Sequence, residues 1–168
     1  MPDSLRAELR TLGVSDHAFP KLGVYLAQLL AMNELMNLTA ITDPDQAWRK
    51  HIYDSLTLLP HLPSTDNLID VGSGGGLPAL PLAIARPDIA FTLVESTKKK
   101  GDFLRAVSSQ VGATNVRVEA SRAEQLHKST HTAAYGVVTA RAVARLTQLI
   151  EWTAPFVRSG GTLLFIKG

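Results

Sequence analysis

Asn67-Leu68-Ile69-Asp70-Val71-Gly72-Ser73-Gly74-Gly75-Gly76 sets an apolar run directly against four glycines, with a helical pattern opening at Leu77-Pro78. A strand that ends in a glycine turn and leads into a helix is the start of a βαβ unit. Glycines permit the sharp turn and keep Cβ atoms out of a ligand's way, so backbone N–H groups are expected to face one there. The helix start behind them adds partial positive charge. Asp70 lies inside the strand, two residues before Gly72, and Glu95 ends the next apolar run, Phe91-Thr92-Leu93-Val94. An acid at the tip of a second strand typically holds ribose hydroxyls. The stretch therefore reads as a site for a nucleoside cofactor.

From this turn onward, short apolar runs alternate with helical patterns. Strands are expected at 67–71, 90–95, 115–119, 135–139 and 162–166, and helices near 78–86, 98–111, 122–127 and 143–157. Val137-Val138 and Leu163-Leu164-Phe165-Ile166 are continuous apolar runs, as in strands buried on both faces. Alternation of this kind predicts an α/β fold with a doubly wound, mostly parallel sheet and a ligand at the carboxyl ends of its strands. Two cofactor chemistries fit such a turn. Gly74-Gly75-Gly76-Leu77-Pro78-Ala79 matches the G-x-G-x-x-A spacing of an NAD site, which makes an NAD-dependent oxidoreductase the alternative. Asp70 within the strand, and a glycine cluster that begins as the strand ends, favour a cofactor with an amino-acid tail, S-adenosylmethionine.

Residues 1–66 are expected to form an N-terminal helical segment ahead of the 67–168 core, the whole making one compact domain. Phe19, Leu22, Leu26, Leu29 and Leu30 recur at helical spacing and read as core. Asn37-Leu38-Thr39 interrupts the pattern. Asp43-Pro44-Asp45-Gln46 is a strong helix start, leading to a buried face of Trp48, Ile52, Leu56 and Leu59 that Pro60 and Pro63 terminate. The 168 residues contain no cysteine, which excludes disulfides, thiolate metal sites and a cysteine nucleophile. The lack of cysteine fits a cytoplasmic setting; the N-terminus does not resemble a signal peptide, and no apolar run is long enough to suggest a membrane span. The net charge of +2 hides an asymmetry: residues 1–66 carry five Lys/Arg against eight Asp/Glu, and residues 67–168 carry twelve against seven. A basic half joined to a nucleoside site points to a polyanion such as RNA.

Individual residues extend this reading. Lys98-Lys99-Lys100 opens a helix where positive charge opposes the dipole, a local cost that favours contact with phosphate. Ser121-Arg122-Ala123-Glu124 follows the third strand as a serine-capped helix start, with Ala123 and Glu124 placed to line an adenine. Arg141 follows the fourth strand, where a guanidinium suits phosphate, carboxylate or a guanine edge. His51, Asp54 and Ser55 share one side of their helix and suit a polar cap over the sheet. No His and carboxylate cluster has metal-ligand spacing, so no metal is expected.

Taken together, Asn37-Leu38-Thr39-Ala40-Ile41, His51-x-x-Asp54-Ser55, Asp70 to Pro78, Phe103-Leu104-Arg105, Ser121 to Glu124, Ala140-Arg141-Ala142 and Lys167-Gly168 resemble the bacterial 16S rRNA guanine-N7 methyltransferase family, in older usage glucose-inhibited division protein B. The resemblance is collinear over residues 37 to 168. It implies a Rossmann-like methyltransferase fold, S-adenosylmethionine as donor, and a guanosine N7 of small-subunit rRNA as acceptor. By position it implies cofactor contacts at Gly72, Leu77, Ala123, Glu124 and Arg141, beside Asp70, Gly74, Gly76 and Glu95 from the turn itself. Arg141 is the expected catalytic residue, orienting the methionine end or the guanine. Lys98, Lys99, Lys100 and Arg105 are the expected RNA contacts. The expected protein is a monomer acting on 16S rRNA or the small ribosomal subunit, with no membrane partner. Two departures stand out. Ala79 occupies a position where the family usually has glycine. The chain also stops at Lys167-Gly168, where such folds add a sixth and a seventh strand, so a truncated form is expected. Its fifth strand would be an exposed apolar edge, and a ribosome-associated nucleoside-binding module without activity is a further alternative.

Overall fold

The computed structural model describes residues 1–126, 131–141 and 146–166. Five parallel strands form one sheet in the order β3-β2-β1-β4-β5: β1 (Asn67–Val71), β2 (Ala90–Val94), β3 (Val116–Glu119), β4 (Tyr135–Arg141) and β5 (Val157–Ile166). The order reverses direction at β1, so the crevice between the ends of β1 and β4 is the place where such sheets bind ligands. Pairing is in register from Asn67 opposite Ala90 to Val71 opposite Val94, and Asp70 lies opposite Thr139.

Side-chain alternation along the strands feeds two cores. Leu68, Leu93 and Val137 face a large cluster with Leu22, Leu26, Leu29, Ile52, Leu56, Leu80 and Leu104. Ile69, Val94 and Val138 face a smaller one around Tyr135 and Phe156. Both faces are covered, which accounts for the continuous apolar runs. The N-terminal helices α1 (Asp3–Thr11) and α2 (Ala18–Met36) bury their apolar stripes in the larger cluster, on the same side as α5 (Ala79–Ala85) and α6 (Lys98–Gln110). Leu30 and Leu59 reach it only half-buried. Asn37 ends α2 with φ of 49°, and Gly112 follows α6 with φ of 62°, left-handed positions that stop each helix. Among the described residues, no helix is long and apolar enough to cross a membrane.

Four expectations are corrected. The helix after Asp43 is not continuous: α3 (Pro44–Ala47) opens into a π-helical turn, Trp48–Tyr53, then α4 (Asp54–Leu56) and a 3₁₀ turn, Leu59–His61. Asp43 does cap it, accepting from the Gln46 N–H at 2.8 Å. The last helix, α8 (Leu146–Thr153), stops before Pro155 and gives way to a 3₁₀ turn, and β5 starts at Val157 rather than 162. Gly160, with φ of 75°, and a register shift opposite Tyr135 and Val137 let that strand begin early. β4 runs on to Arg141, so this arginine is the last residue of the strand. Among the described residues β5 is an edge strand paired only with β4; Arg158 to Gly160 are exposed and Thr162 to Ile166 half-buried. Ala142 and Lys167-Gly168, named in the resemblance, lie outside the described residues.

Candidate functional site

The carboxyl ends of the strands open onto a cleft with two lobes that share Gly72. One, about 290 Å³, lies among Val71, Val94, Ser96, Ser121, Ala123 and Trp152, with Glu124 also on its wall. The other, about 420 Å³, is lined by Thr39, His51, Gly74, Glu95, Lys100 and Arg141, and by Leu77 at its edge. A nucleoside with an amino-acid tail needs two such compartments joined at the strand tip.

The turn between β1 and α5 differs from the expectation that its N–H groups face a ligand. Gly72 and Ser73 both donate to the Val94 carbonyl at 3.0 Å, and Gly76 donates to the Ser73 carbonyl at 2.7 Å. Gly74 donates to Glu95 Oε2 at 2.9 Å, while Thr97 donates to Oε1 at 2.7 Å. Four N–H groups are thus spent inside the protein. Such a turn is a poor pyrophosphate cradle, because a cradle needs those donors. What the glycines provide is close approach. Gly72 has φ of 76° and open space where a Cβ would stand, so the cleft reaches its backbone. Gly76 has φ of 99°, and a Cβ there would come within 2.6 Å of Leu80. Tyr25 on α2 braces the turn from behind, its buried hydroxyl donating to the Gly75 carbonyl at 2.9 Å.

Glu95, 6% exposed, therefore holds the turn in shape as well as lining the cleft. Asp70 does not hold the turn's amides. Its Oδ1 accepts from the Thr139 hydroxyl at 2.7 Å across the β1–β4 pair, and its Oδ2 is buried with no partner. Burial pushes this carboxyl up to about 7 and the nearby charge of Glu95 adds to the rise, while the Thr139 hydroxyl and that of Ser73, which lies beside it and donates to the Asp70 main-chain carbonyl at 3.2 Å, work the other way. A buried carboxylate oxygen without a donor is costly unless a ligand supplies one.

Arg141 presents the opposite charge. Its Nη2 donates to the Lys50 carbonyl at 2.6 Å, and its Nη1 is buried without a partner. His51, 4% exposed, joins Thr39 through Nε2 at 2.7 Å; its Nδ1 has no partner. Burial, then the charge of Arg141, pulls the imidazole below its ordinary range. The expected polar cap is thus only partly satisfied: the His51 ring meets Thr39, and the Ser55 hydroxyl donates to the His51 main-chain carbonyl rather than to its side chain.

The remaining expected residues divide. Lys100 lines the larger lobe, and Lys98 and Lys99 are exposed beside it at the start of α6. Arg105 is tied to Asp102 at 3.0 Å and to the Val118 carbonyl at 3.3 Å. Ser121 precedes the short α7 (Ala123–Leu126), and its hydroxyl faces the Arg122 carbonyl and the Gln125 side chain instead of capping the helix. Sequence reasoning misses the contacts made by Thr39, Tyr25 and Thr139. Hydroxyl residues carry no spacing signal, and these three act across separations of 12, 50 and 69 residues. Among the described residues, no three His, Asp or Glu side chains come together as a metal site.

Comparison with known proteins bears on the fold and the family. The chain is 57% identical over 172 residues to ribosomal RNA small subunit methyltransferase G of Sorangium cellulosum, covering 99% of this chain and 72% of that one. It is 38% identical to the protein of the same name from Neisseria gonorrhoeae, over 99% of this chain and 79% of the relative. Among solved structures, an O-methyltransferase from Bacillus cereus in complex with SAH superposes with a TM-score of 0.60 at 18% identity, over 84% of this chain and 64% of that one. A putative O-methyltransferase from Klebsiella pneumoniae gives the same TM-score at 16% identity, with the same coverage of the two chains. The fold is thus the Rossmann-like one of S-adenosylmethionine-dependent methyltransferases, and nothing in these likenesses supports the oxidoreductase alternative. The GidB family profile, described as rRNA small subunit methyltransferase G, matches residues 18–168, and with the relatives just named it establishes that the chain belongs to that family.

Proposed function

We propose that the protein transfers a methyl group from S-adenosylmethionine to N7 of a guanosine in small-subunit rRNA. The observation that carries this reading is a pair of buried, unpartnered groups of opposite character, Asp70 Oδ2 one residue before the end of β1 and Arg141 Nη1 at the end of the neighbouring β4. An amino acid has one ammonium and one carboxylate, and these two atoms are the partners each requires. The smaller lobe, with Ala123 and Glu124 on its wall, takes the adenine, and Gly72 lets the backbone approach the sugar. Glu95 has a spare lone pair on each oxygen for ribose hydroxyls, and Gly74, Gly76 and Leu77 shape the turn beneath.

When bound, S-adenosylmethionine supplies a methyl group already activated on a sulfonium. Guanine N7 carries an exposed lone pair and no proton, so the chain needs no general base. Its residues position the two reactants and match their charge, the larger share of the work in such a displacement. Lys98, Lys99 and Lys100 lie on the rim to meet RNA phosphates, with Arg105 a weaker contributor because both its terminal nitrogens already donate within the protein. Looped or single-stranded RNA is the fitting target, since the A-form major groove is too narrow to read. A monomer in the cytoplasm is the setting that fits this role.

The test is to incubate the protein and S-adenosylmethionine with small-subunit RNA or subunits from a strain lacking the enzyme, followed by mass spectrometry of the RNA. N7-methylguanosine is the expected product; methyl on another atom, or none, refutes the assignment. Before that, a thermal-shift comparison separates donors: at about 100 times its dissociation constant a ligand adds roughly 2.7 kcal/mol. S-adenosylmethionine is expected to stabilise and NAD to leave the melting temperature unchanged.

A further inference from the structure

The N-terminal segment does more than cover the sheet, because Leu38, Thr39 and His51 form one wall of the cleft whose other wall is the glycine turn. His51 is fixed from both ends. Its Nε2 meets Thr39 Oγ1 at 2.7 Å, and its own carbonyl accepts from the Ser55 hydroxyl at 2.5 Å. Thr39 is fixed in turn: its N–H donates to Asn33 Oδ1 at 2.7 Å, and its Oγ1 accepts from the Ile41 N–H at 3.0 Å. That oxygen keeps one proton to give, which suits the imidazole as acceptor. The peptide joining Lys50 to His51 is therefore held on its His51 side, and its carbonyl is the atom that receives Arg141 Nη2 at 2.6 Å. The same peptide lies in the π-helical turn Trp48–Tyr53, a feature that re-aims backbone groups and concentrates at functional sites.

Resting on the function just proposed, we infer that His51 is a positioning residue for Arg141: pinned by Thr39, it aims the Lys50 carbonyl so that one arm of the guanidinium is clamped and Nη1 is left for the donor's carboxylate. A neutral imidazole is what permits this closeness, since a second cation beside a buried guanidinium would repel it. Arg141 has no acid within ion-pairing distance among the described residues, so this carbonyl is its anchor.

The experiment is a double-mutant cycle with His51→Ala and Arg141→Ala, read by calorimetric affinity for S-adenosylmethionine and by single-turnover methyl transfer. Arg141→Ala is expected to weaken donor affinity about tenfold or more, the loss typical of a hydrogen bond to a charged group. His51→Ala should lose a comparable factor, and the double variant should lie within about twofold of Arg141→Ala alone, because the histidine has nothing left to position. His51→Gln, whose amide reaches the place of Nε2, should recover most of the affinity; His51→Asn, which reaches only the place of Nδ1, should not. Thr39→Val provides the same test without altering His51 and is expected to match His51→Ala. Losses that multiply in the double variant, rescue by Asn instead of Gln, or full donor affinity in Arg141→Ala or Thr39→Val would each overturn the inference. A wild-type protein that binds the donor but methylates no RNA would count against the proposed substrate, and the cycle in donor affinity would still decide the role of His51.

Discussion

Asp70 and Arg141 share a predicament: each carries a buried polar atom that the folded chain leaves unpaired. For Asp70 the consequence is a proton. With its carboxyl pushed from 3.8 to about 7, the folded protein holds a proton that the unfolded chain releases between those values. More protons on the native state mean that stability falls as pH rises through that window, and the part due to Asp70 is fully present only below 3.8. Asp70→Asn is expected to flatten urea-derived stability between pH 4 and 7 and to raise it at pH 8 by up to about 4 kcal/mol. Donor affinity should move the other way. The ammonium group needs the carboxylate, so wild-type affinity should climb as pH rises toward about 7 and level off above it, while the asparagine variant binds weakly throughout. A wild-type affinity that stays flat over this range would remove Asp70 from the donor site.

The turn between β1 and α5 places its glycines under two different constraints. At Gly76 a side chain is refused twice, by φ of 99° and by Leu80 and Leu104, whose side chains would come within 2.6 and 3.1 Å of a Cβ. Gly76→Ala should therefore cost about 2–3 kcal/mol in a denaturant titration, backbone strain and overpacking together. Gly72 has φ of 76° but nothing within 4 Å, so Gly72→Ala should cost only about 1–2 kcal/mol of left-handed strain. Its larger effect is expected on donor affinity, because the new methyl group projects into the space shared by the two lobes. Equal losses of stability in the two variants would show that packing at Leu80 is not what constrains Gly76. The π-helical turn belongs to the same level of organisation: it replaces a plain helix where His51 and the Lys50 carbonyl must both reach the cleft wall.

Across the molecule, the proposed RNA contacts rest on charge. The excess of Lys/Arg over Asp/Glu lies in residues 67–168, and Lys98 to Lys100 bring part of it to the rim of the cleft. Removing one lysine–phosphate pair should lower the slope of log affinity against log salt by about 0.7 for single-stranded RNA. Lys98→Ala and Lys99→Ala are expected to show that decrement singly and to add when combined, with donor affinity unchanged. Arg105→Ala should change the slope less, since its guanidinium already serves Asp102 and the Val118 carbonyl. Salt slopes that do not respond to the lysines would move the RNA path to another face.

The alternation of apolar runs and helical patterns determined the parallel sheet and its five strands, because burial on both faces forces that composition and the period is local. The glycine turn, the acids at 70 and 95, and Arg141 after the fourth strand located the cleft for the same reason: strand ends are where a doubly wound sheet binds. Which partner each of these groups takes was decided only in three dimensions. Glu95, not Asp70, holds the turn; Asp70 pairs with Thr139, 69 residues away; and Arg141 rests on the Lys50 carbonyl, 91 residues away. The early start of β5 and the opening of the helix at Trp48–Tyr53 were set by backbone register and by contacts between distant segments. Periodicity reports which face of an element is buried, whereas a hydrogen bond across the core depends on where the neighbouring element comes to lie.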